Sequence, residues 1–214
     1  MTSQPMHPPD LRVYVITANM PELGRTHEDV AVAAARGGAS VIQFRDKTLN
    51  DRAFVQEARR VAEIAREAGI LFIVNDRVQA AVEVEADGVH LGQADAGYMA
   101  VREIVGPDMI VGLSATNPQE AREAARAGAD YIGIGPVFAT NSKNDAAPLI
   151  GIAGLRAIVS RVARPLVAIG GIDNENIGEV IAAGAAGAAH IAAIAGAPDM
   201  EAAVRALRLA WESK

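Results

Sequence analysis

Cysteine is absent from the 214 residues, which excludes disulfides, thiol nucleophiles, iron–sulfur clusters and thiolate zinc sites and suits a reducing, cytoplasmic setting. Aromatic residues make up only 4% of the chain, and 20 Lys+Arg face 26 Asp+Glu, for a formal charge of −6. A nucleic-acid platform needs a basic face and stacking aromatics, and this chain offers neither. Long apolar runs are missing too: charges, Gly, Asn or Asp interrupt each one before the ~20 residues that a membrane span requires. The opening MTSQPMHPPD has no cationic segment leading into an apolar one. It reads as a flexible tail over residues 1–10 and not as a signal peptide.

What the chain does have is alternation. Short Val- and Ile-rich runs at 13–17, 41–45, 71–75, 88–91, 110–114, 131–135, 166–169 and 188–191 read as strands. None alternates cleanly between apolar and polar, as expected when both faces of a parallel strand are buried. Amphipathic stretches at 26–36, 50–68, 77–84, 96–105, 118–127, 152–162, 174–183 and 200–212 read as helices. Strand then helix, eight times over residues 11–214, predicts an α/β protein made of a single (β/α)8 TIM barrel. A weak repeat agrees: A-A-R-G-G-A-S-V, E-A-R-A-G-A-D-Y and A-A-G-A-A-G-A each put Gly where a helix stops before a strand. No G-x-G-x-x-G follows the first strand, so the usual dinucleotide cue of an open sheet is lacking.

Catalytic groups of such barrels sit at the carboxyl ends of the strands, and polar residues gather there in this chain. Strand two ends in Gln43, Arg45 and Lys47, which share one side if the strand stays extended; a salt-bridge cluster with Asp46 is the plainer alternative. Asp76 and Asp95 follow strands three and four. Two carboxylates near cations suit Mg²⁺ completed by substrate phosphate oxygens, although Asp76 is also placed to cap the next helix. His90 reads as a satisfied core or rim histidine, and Asn117 as a helix cap. Ser114 is positioned to bond a phosphate. The long polar loop after strand six carries Lys143, a competent phosphate ligand, just after the hydroxyl residues Thr140 and Ser142. Gly170 and Gly171, with Ala192–Gly196 after strand eight, suit a phosphate held by backbone N–H groups, with a plain turn out of strand seven as the equal alternative for the glycines. Together these are two anion sites, one cationic with carboxylates and one neutral. No Ser–His–Asp grouping and no acid–base carboxylate pair accompanies them.

The segments V-I-Q-F-R-D-K, I-V-N-D-R-V, A-D-G-V-H-L-G-Q-A-D, A-D-Y-I-G-I-G-P-V-F-A-T-N-S-K-N-D and A-I-G-G-I, in this order, resemble those of the thiamine-phosphate synthase family. The resemblance runs from Val13 to the last helix. It implies a transferase that joins hydroxymethylpyrimidine diphosphate to a thiazole phosphate, releasing pyrophosphate through a stabilised pyrimidine cation. By the same resemblance Gln43 contacts the pyrimidine, while Arg45, Lys47, Asn75, Ser114 and Lys143 bind its diphosphate. Asp76 and Asp95 hold Mg²⁺. Thr140 and Ser142, with backbone at Gly171, Ile191 and Ala192, bind the thiazole phosphate. Arg45, Lys47, Ser114 and Lys143 carry the catalytic role.

Four positions depart from the family pattern. Ala192 replaces a usual Ser, removing one hydroxyl from the thiazole-phosphate end. Ser142 and Asp46 stand for Thr and Glu with similar chemistry, and His190 occupies a usually apolar position with no assigned role. The competing readings are a related thiazole tautomerase and a non-catalytic phosphate-binding barrel. The partners expected are small-molecule substrates, without nucleic acid or membrane, and the Ala- and Leu-rich face at 202–210 permits a homo-oligomer.

Overall fold

The structure, a computed structural model, describes residues 9–93, 95, 97–140 and 148–213. Eight strands run around a closed barrel in chain order: β1 (Val13–Ile16), β2 (Val41–Phe44), β3 (Leu71–Asn75), β4 (Gly88–Leu91), β5 (Ile110–Ala115), β6 (Tyr131–Ile134), β7 (Leu166–Ile169) and β8 (Gly187–His190). Every neighbouring pair is parallel, including β8 with β1, where Tyr14 lies opposite Ala189. The helices among the described residues are α1 (His27–Gly37), α2 (Asp51–Glu67), α3 (Val78–Glu83), α4 (Tyr98–Val105), α5 (Pro118–Ala127), α6 (Gly151–Val159), α7 (Ile177–Ala182), α8 (Ala192–Ala195) and α9 (Met200–Glu212).

Local chemistry sets their ends. Thr26 and Asp29 form a reciprocal capping box at the start of α1, and Gly38 closes it in the left-handed conformation that Gly adopts at little cost. Asn117 caps α5 by accepting from Gln119 and Glu120 N–H groups, with Pro118 at the first helical position, as the sequence leads one to expect. α7 begins at Ile177 and not at 174, because Asp173 and Asn176 exchange side-chain to backbone bonds that hold the chain in a turn. α8 is a helix of four residues that has no counterpart in the expected pattern.

Two apolar shells result. Inside the barrel, Leu11, Tyr14, Ile16, Val41, Ile73, Tyr131, Val167 and Ala189 pack together; outside it, a larger shell of Ala, Val, Ile and Leu lies between strands and helices. Burial on both faces explains why the strands lack polar alternation. Glycines sit where the interior is crowded: a Cβ at Gly112 would run into the Tyr131 ring, and one at Gly133 would meet His90 Cε1 at 3.0 Å. Of the expected tail, residues 1–8 lie outside the described residues. Asp10 is ion-paired with Arg12 at 2.7 Å and Arg208 at 3.2 Å, and so belongs to the barrel body.

Candidate active site

The carboxyl ends of the strands open onto a funnel of about 410 Å³, continuous with solvent at its mouth. The interior side of each strand alternates by two residues, so Gln43, Arg45, Asn75, His90 and Ser114 all line it, with Tyr14 and Tyr131 beneath. Gln43 and Asn75 are buried, Ser114 is partly exposed, and Lys47 and Asp95 lie at the surface of the rim.

β2 ends at Phe44, so the extended strand expected to align Gln43, Arg45 and Lys47 does not continue. The backbone turns at Asp46 instead, whose Oδ1 accepts from Thr48 N (2.6 Å), Thr48 Oγ1 (2.7 Å) and Leu49 N (2.9 Å). Its other oxygen, Oδ2, lies 3.1 Å from His27 Nε2, so Asp46 pairs with His27 and not with Arg45 or Lys47. Burial alone would push the Asp46 carboxyl up, but these donors outweigh it and hold its pKa at about 2.

Asp76 occupies a strained left-handed conformation, φ 61°, in a tight turn closed by Arg77 N donating to Asn75 O at 2.7 Å. The capping alternative does not hold, because Arg77 is the N-cap of α3 and no side chain caps it. The turn aims the Asp76 carboxylate at Asp95. Burial, a hydrogen bond with Asp95 and the charge of Asp95 raise the Asp76 pKa to about 6, against the opposing charges of Lys47 and Arg45. Four side chains from three strand ends therefore act on one another across the rim. Asp95 is oriented by the Gly92 N–H, 2.5 Å from its Oδ2. Among the described residues no group of three or more His, Cys, Asp or Glu is placed to hold a metal, and Asp76 and Asp95 are a pair of interacting carboxylates. Such a pair fits Mg²⁺, which takes one or two carboxylates and fills its remaining positions with water or phosphate oxygens.

The glycine turn after β7 and the start of α8, where the sequence leads one to expect a second anion site, follow β7 and β8. Gly171, φ 61°, packs so closely on the loop after β6 that a Cβ there would strike Ala139 O, and Asn176 Nδ2 donates to its carbonyl at 2.8 Å. α8 starts at Ala192 with Ile191 as an N-cap that offers no side-chain bond, which leaves the first N–H groups of the helix without intrahelical partners. Ile191 is half-buried against the inner core and Ala192 is exposed. His190 is buried; its Nδ1 lies 3.1 Å from Ile172 O, tying the loop after β7 to the end of β8, and burial pulls its pKa down to about 4. Thr140 ends the described part of the loop after β6, and Ser142 and Lys143 lie outside the described residues.

Several contributors are not legible as such in the sequence. Tyr14 and Tyr131 read as core, and the signal is a hydroxyl-bearing ring on an inward strand position. His27 and Arg77 act on the loop of Arg45 and Lys47: Arg77 donates to Leu49 O at 2.5 Å and pairs with Asp51 at 2.7 Å.

A closed barrel of eight parallel strands with cations and carboxylates gathered at the carboxyl ends of its strands places the chain among the (β/α)8-barrel proteins whose sites lie at that face. Comparison with known proteins narrows this. The chain belongs to the thiamine monophosphate synthase family, whose profile matches residues 13–194. It is 47% identical over 202 residues to the thiamine-phosphate synthase of Chloroflexus aurantiacus, covering 94% of this chain and 93% of that one. Its identity to the thiamine-phosphate synthase of Methanoculleus marisnigri is 49% over 196 residues, covering 92% and 93%. The solved thiamine phosphate pyrophosphorylase of Pyrococcus furiosus superposes with a TM-score of 0.87 at 40% identity, over 96% of this chain and 97% of that one.

Proposed function

We propose that the chain condenses hydroxymethylpyrimidine diphosphate with thiazole phosphate, or its carboxylate form, to give thiamine monophosphate and pyrophosphate. The observation that carries this reading is the interaction of Asp76 with Asp95 within the field of Arg45 and Lys47, at the strand ends that also supply Arg45 and Asn75 to the funnel. A leaving pyrophosphate needs its charge neutralised as the bond breaks, and this rim is arranged to do so. Nothing else in the reaction demands much of the protein. The C–O bond of the pyrimidine methylene breaks with its electron pair leaving on the diphosphate, and the thiazole nitrogen lone pair closes the new C–N bond. That nitrogen carries no proton to lose, so the step needs no general base.

In this reading Gln43 binds the pyrimidine, and Arg45, Lys47, Asn75 and Ser114 bind the diphosphate, joined by Lys143. Asp76 and Asp95 would hold Mg²⁺, which supplies further charge neutralisation of the diphosphate when bound. Backbone at Gly171, Ile191 and Ala192, with Thr140 and Ser142, would bind the thiazole phosphate. Two small anionic substrates and a cysteine-free chain suit a cytoplasmic enzyme; among the described residues no helix is long and apolar enough to cross a membrane. The test is incubation with both phosphorylated substrates and Mg²⁺, with detection of pyrophosphate and thiamine monophosphate. Isomerisation of a thiazole carboxylate phosphate without pyrophosphate release would replace the reading with a tautomerase. Ligand-induced stabilisation with neither reaction would replace it with a binding protein.

A further inference from the structure

Five side chains at the base of the funnel are joined end to end. Gln43 Nε2 donates to the Tyr14 hydroxyl at 2.7 Å, and the Tyr14 and Tyr131 hydroxyls are 2.7 Å apart. The Tyr131 hydroxyl lies 2.9 Å from His90 Nδ1, and His90 Nε2 lies 2.9 Å from Ser114 Oγ. Both tyrosines are 1% exposed, and burial pushes both phenols well above their ordinary range, so neither becomes a phenolate near neutral pH. The interior makes room for them: a Cβ at Gly112 would collide with Tyr131, one at Gly133 would press on His90, and His90 stacks on Tyr131 with ring centroids 5.4 Å apart.

A hydroxyl has one hydrogen, and this fixes the order of donors. Tyr14 accepts from Gln43 and so donates to Tyr131. Tyr131 then donates to His90 Nδ1, which must carry a lone pair. The hydrogen of the neutral ring therefore sits on Nε2 and is given to Ser114 Oγ. Ser114 keeps its own hydrogen for the funnel, and at the other end Gln43, with one of its two amide hydrogens given to Tyr14, is held with its carbonyl oxygen available as an acceptor.

We propose that these five residues form one polarised hydrogen-bond chain in which Tyr14 and Tyr131 are positioning residues, setting Gln43 as an acceptor and Ser114 as a donor toward the ligand. A molecule with an N–H at one end and a phosphate oxygen at the other matches that polarity. The identity of the molecule rests on the proposed function; the order of the chain does not.

The experiment reads the His90 ring directly, by nitrogen NMR of ¹⁵N-labelled, unliganded protein at neutral pH, with the His90 signals assigned by their loss in His90→Gln. The wild type is expected to show a protonated Nε2 and a bare Nδ1. A protonated Nδ1 overturns the proposal. Tyr14→Phe keeps the ring and removes only the linking oxygen, so His90 is expected to shift toward a mixture of neutral tautomers. The KM for the pyrimidine diphosphate is expected to rise about fivefold, the scale of one hydrogen bond, with the KM for thiazole phosphate unchanged. An unaltered tautomer together with unaltered KM values in Tyr14→Phe overturns the proposal. If no thiamine phosphate forms but both NMR results hold, the hydrogen-bond chain stands and the functional reading falls. Active enzyme with a protonated Nδ1 overturns the hydrogen-bond chain and leaves the functional reading standing.

Discussion

His27 Nε2 lies 3.1 Å from Asp46 Oδ2, so the first turn of α1 grips the loop that carries Arg45 and Lys47. The far side of that ring is anchored as well, with Nδ1 2.8 Å from Thr17 Oγ1, and Arg77 holds the same loop from the β3 side. The two cations of the rim thus sit on a segment clamped at both flanks. Asp46→Ala releases one clamp without touching the funnel. The expected outcome is a several-fold rise in KM for the pyrimidine diphosphate, no change in KM for thiazole phosphate, and a stability loss of about 1–3 kcal/mol from the orphaned donors. Steady-state kinetics with each substrate varied, beside a thermal melt, measures all three.

Acid should destabilise the fold in two stages, at His190 and then at Asp46, with the first opposed by Asp76, whose folded pKa of about 6 makes it gain stability as pH falls from about 6 to 4. His190 has a folded pKa of about 4, below its ordinary value of 6.5, so the unfolded chain binds the proton first and stability falls as pH drops from about 6.5 to 4. The shift corresponds to roughly 3 kcal/mol. Asp46, held at about 2, contributes stability above the ordinary carboxylate range that is lost as pH falls from about 4 to 2. Denaturant titrations of wild type and His190→Leu at pH 7, 5 and 4 separate the first stage from the Asp76 gain, and wild type should lose more stability than the variant as pH falls. An equal loss in that variant would assign the effect to other groups.

Asp95 is the exposed member of the carboxylate pair, and Asp95→Asn keeps its size while removing its charge. Turnover is expected to drop at least about tenfold, with a raised Mg²⁺ requirement that excess metal only partly meets. Chelation should abolish wild-type turnover reversibly. Undiminished activity of Asp95→Asn at low Mg²⁺ would show that this carboxylate holds no metal.

Gly112→Ala places a methyl group against the Tyr131 ring inside a packed barrel. Overpacking of this kind costs about 1–3 kcal/mol or more, and displacement of Tyr131 should lower activity even where the fold survives. Ala at Gly178, whose Cβ would meet nothing within 4 Å, is the matched control. Comparable losses in both variants would rule out the steric cause.

The barrel is legible in the sequence to within a residue or two at every strand, because burial on both faces writes Val and Ile without alternation into 13–17, 41–45 and their successors. The helices with caps, such as α1 and α5, are equally plain. α8 is not, since four residues carry no periodicity. At the site, residues whose charge has no other use stand out: Arg45, Lys47, Asp76 and Asp95 are recognisable in the sequence, and the structure brings them within reach of one another. Strand extension is not what aligns Arg45 and Lys47, because β2 stops short of them and a turn organised by Asp46 and His27 takes over. Tyr14 and Tyr131 stay hidden because an inward tyrosine and a core tyrosine look alike until a partner 2.7 Å away is seen.

The β1–β8 seam has a consequence for how the molecule is made. Tyr14 and Ala189 pair across it, so the ring cannot shut until β8 has left the ribosome. Until then the nascent protein carries a β1 edge and a growing opposite edge, both open to wrong pairing. The loops after β7 and β8, which the proposed function assigns to the thiazole phosphate, are the last parts of the mouth to emerge. Phosphate held there therefore rewards only completed rings, and a cell rich in that ligand should contain fewer half-built ones.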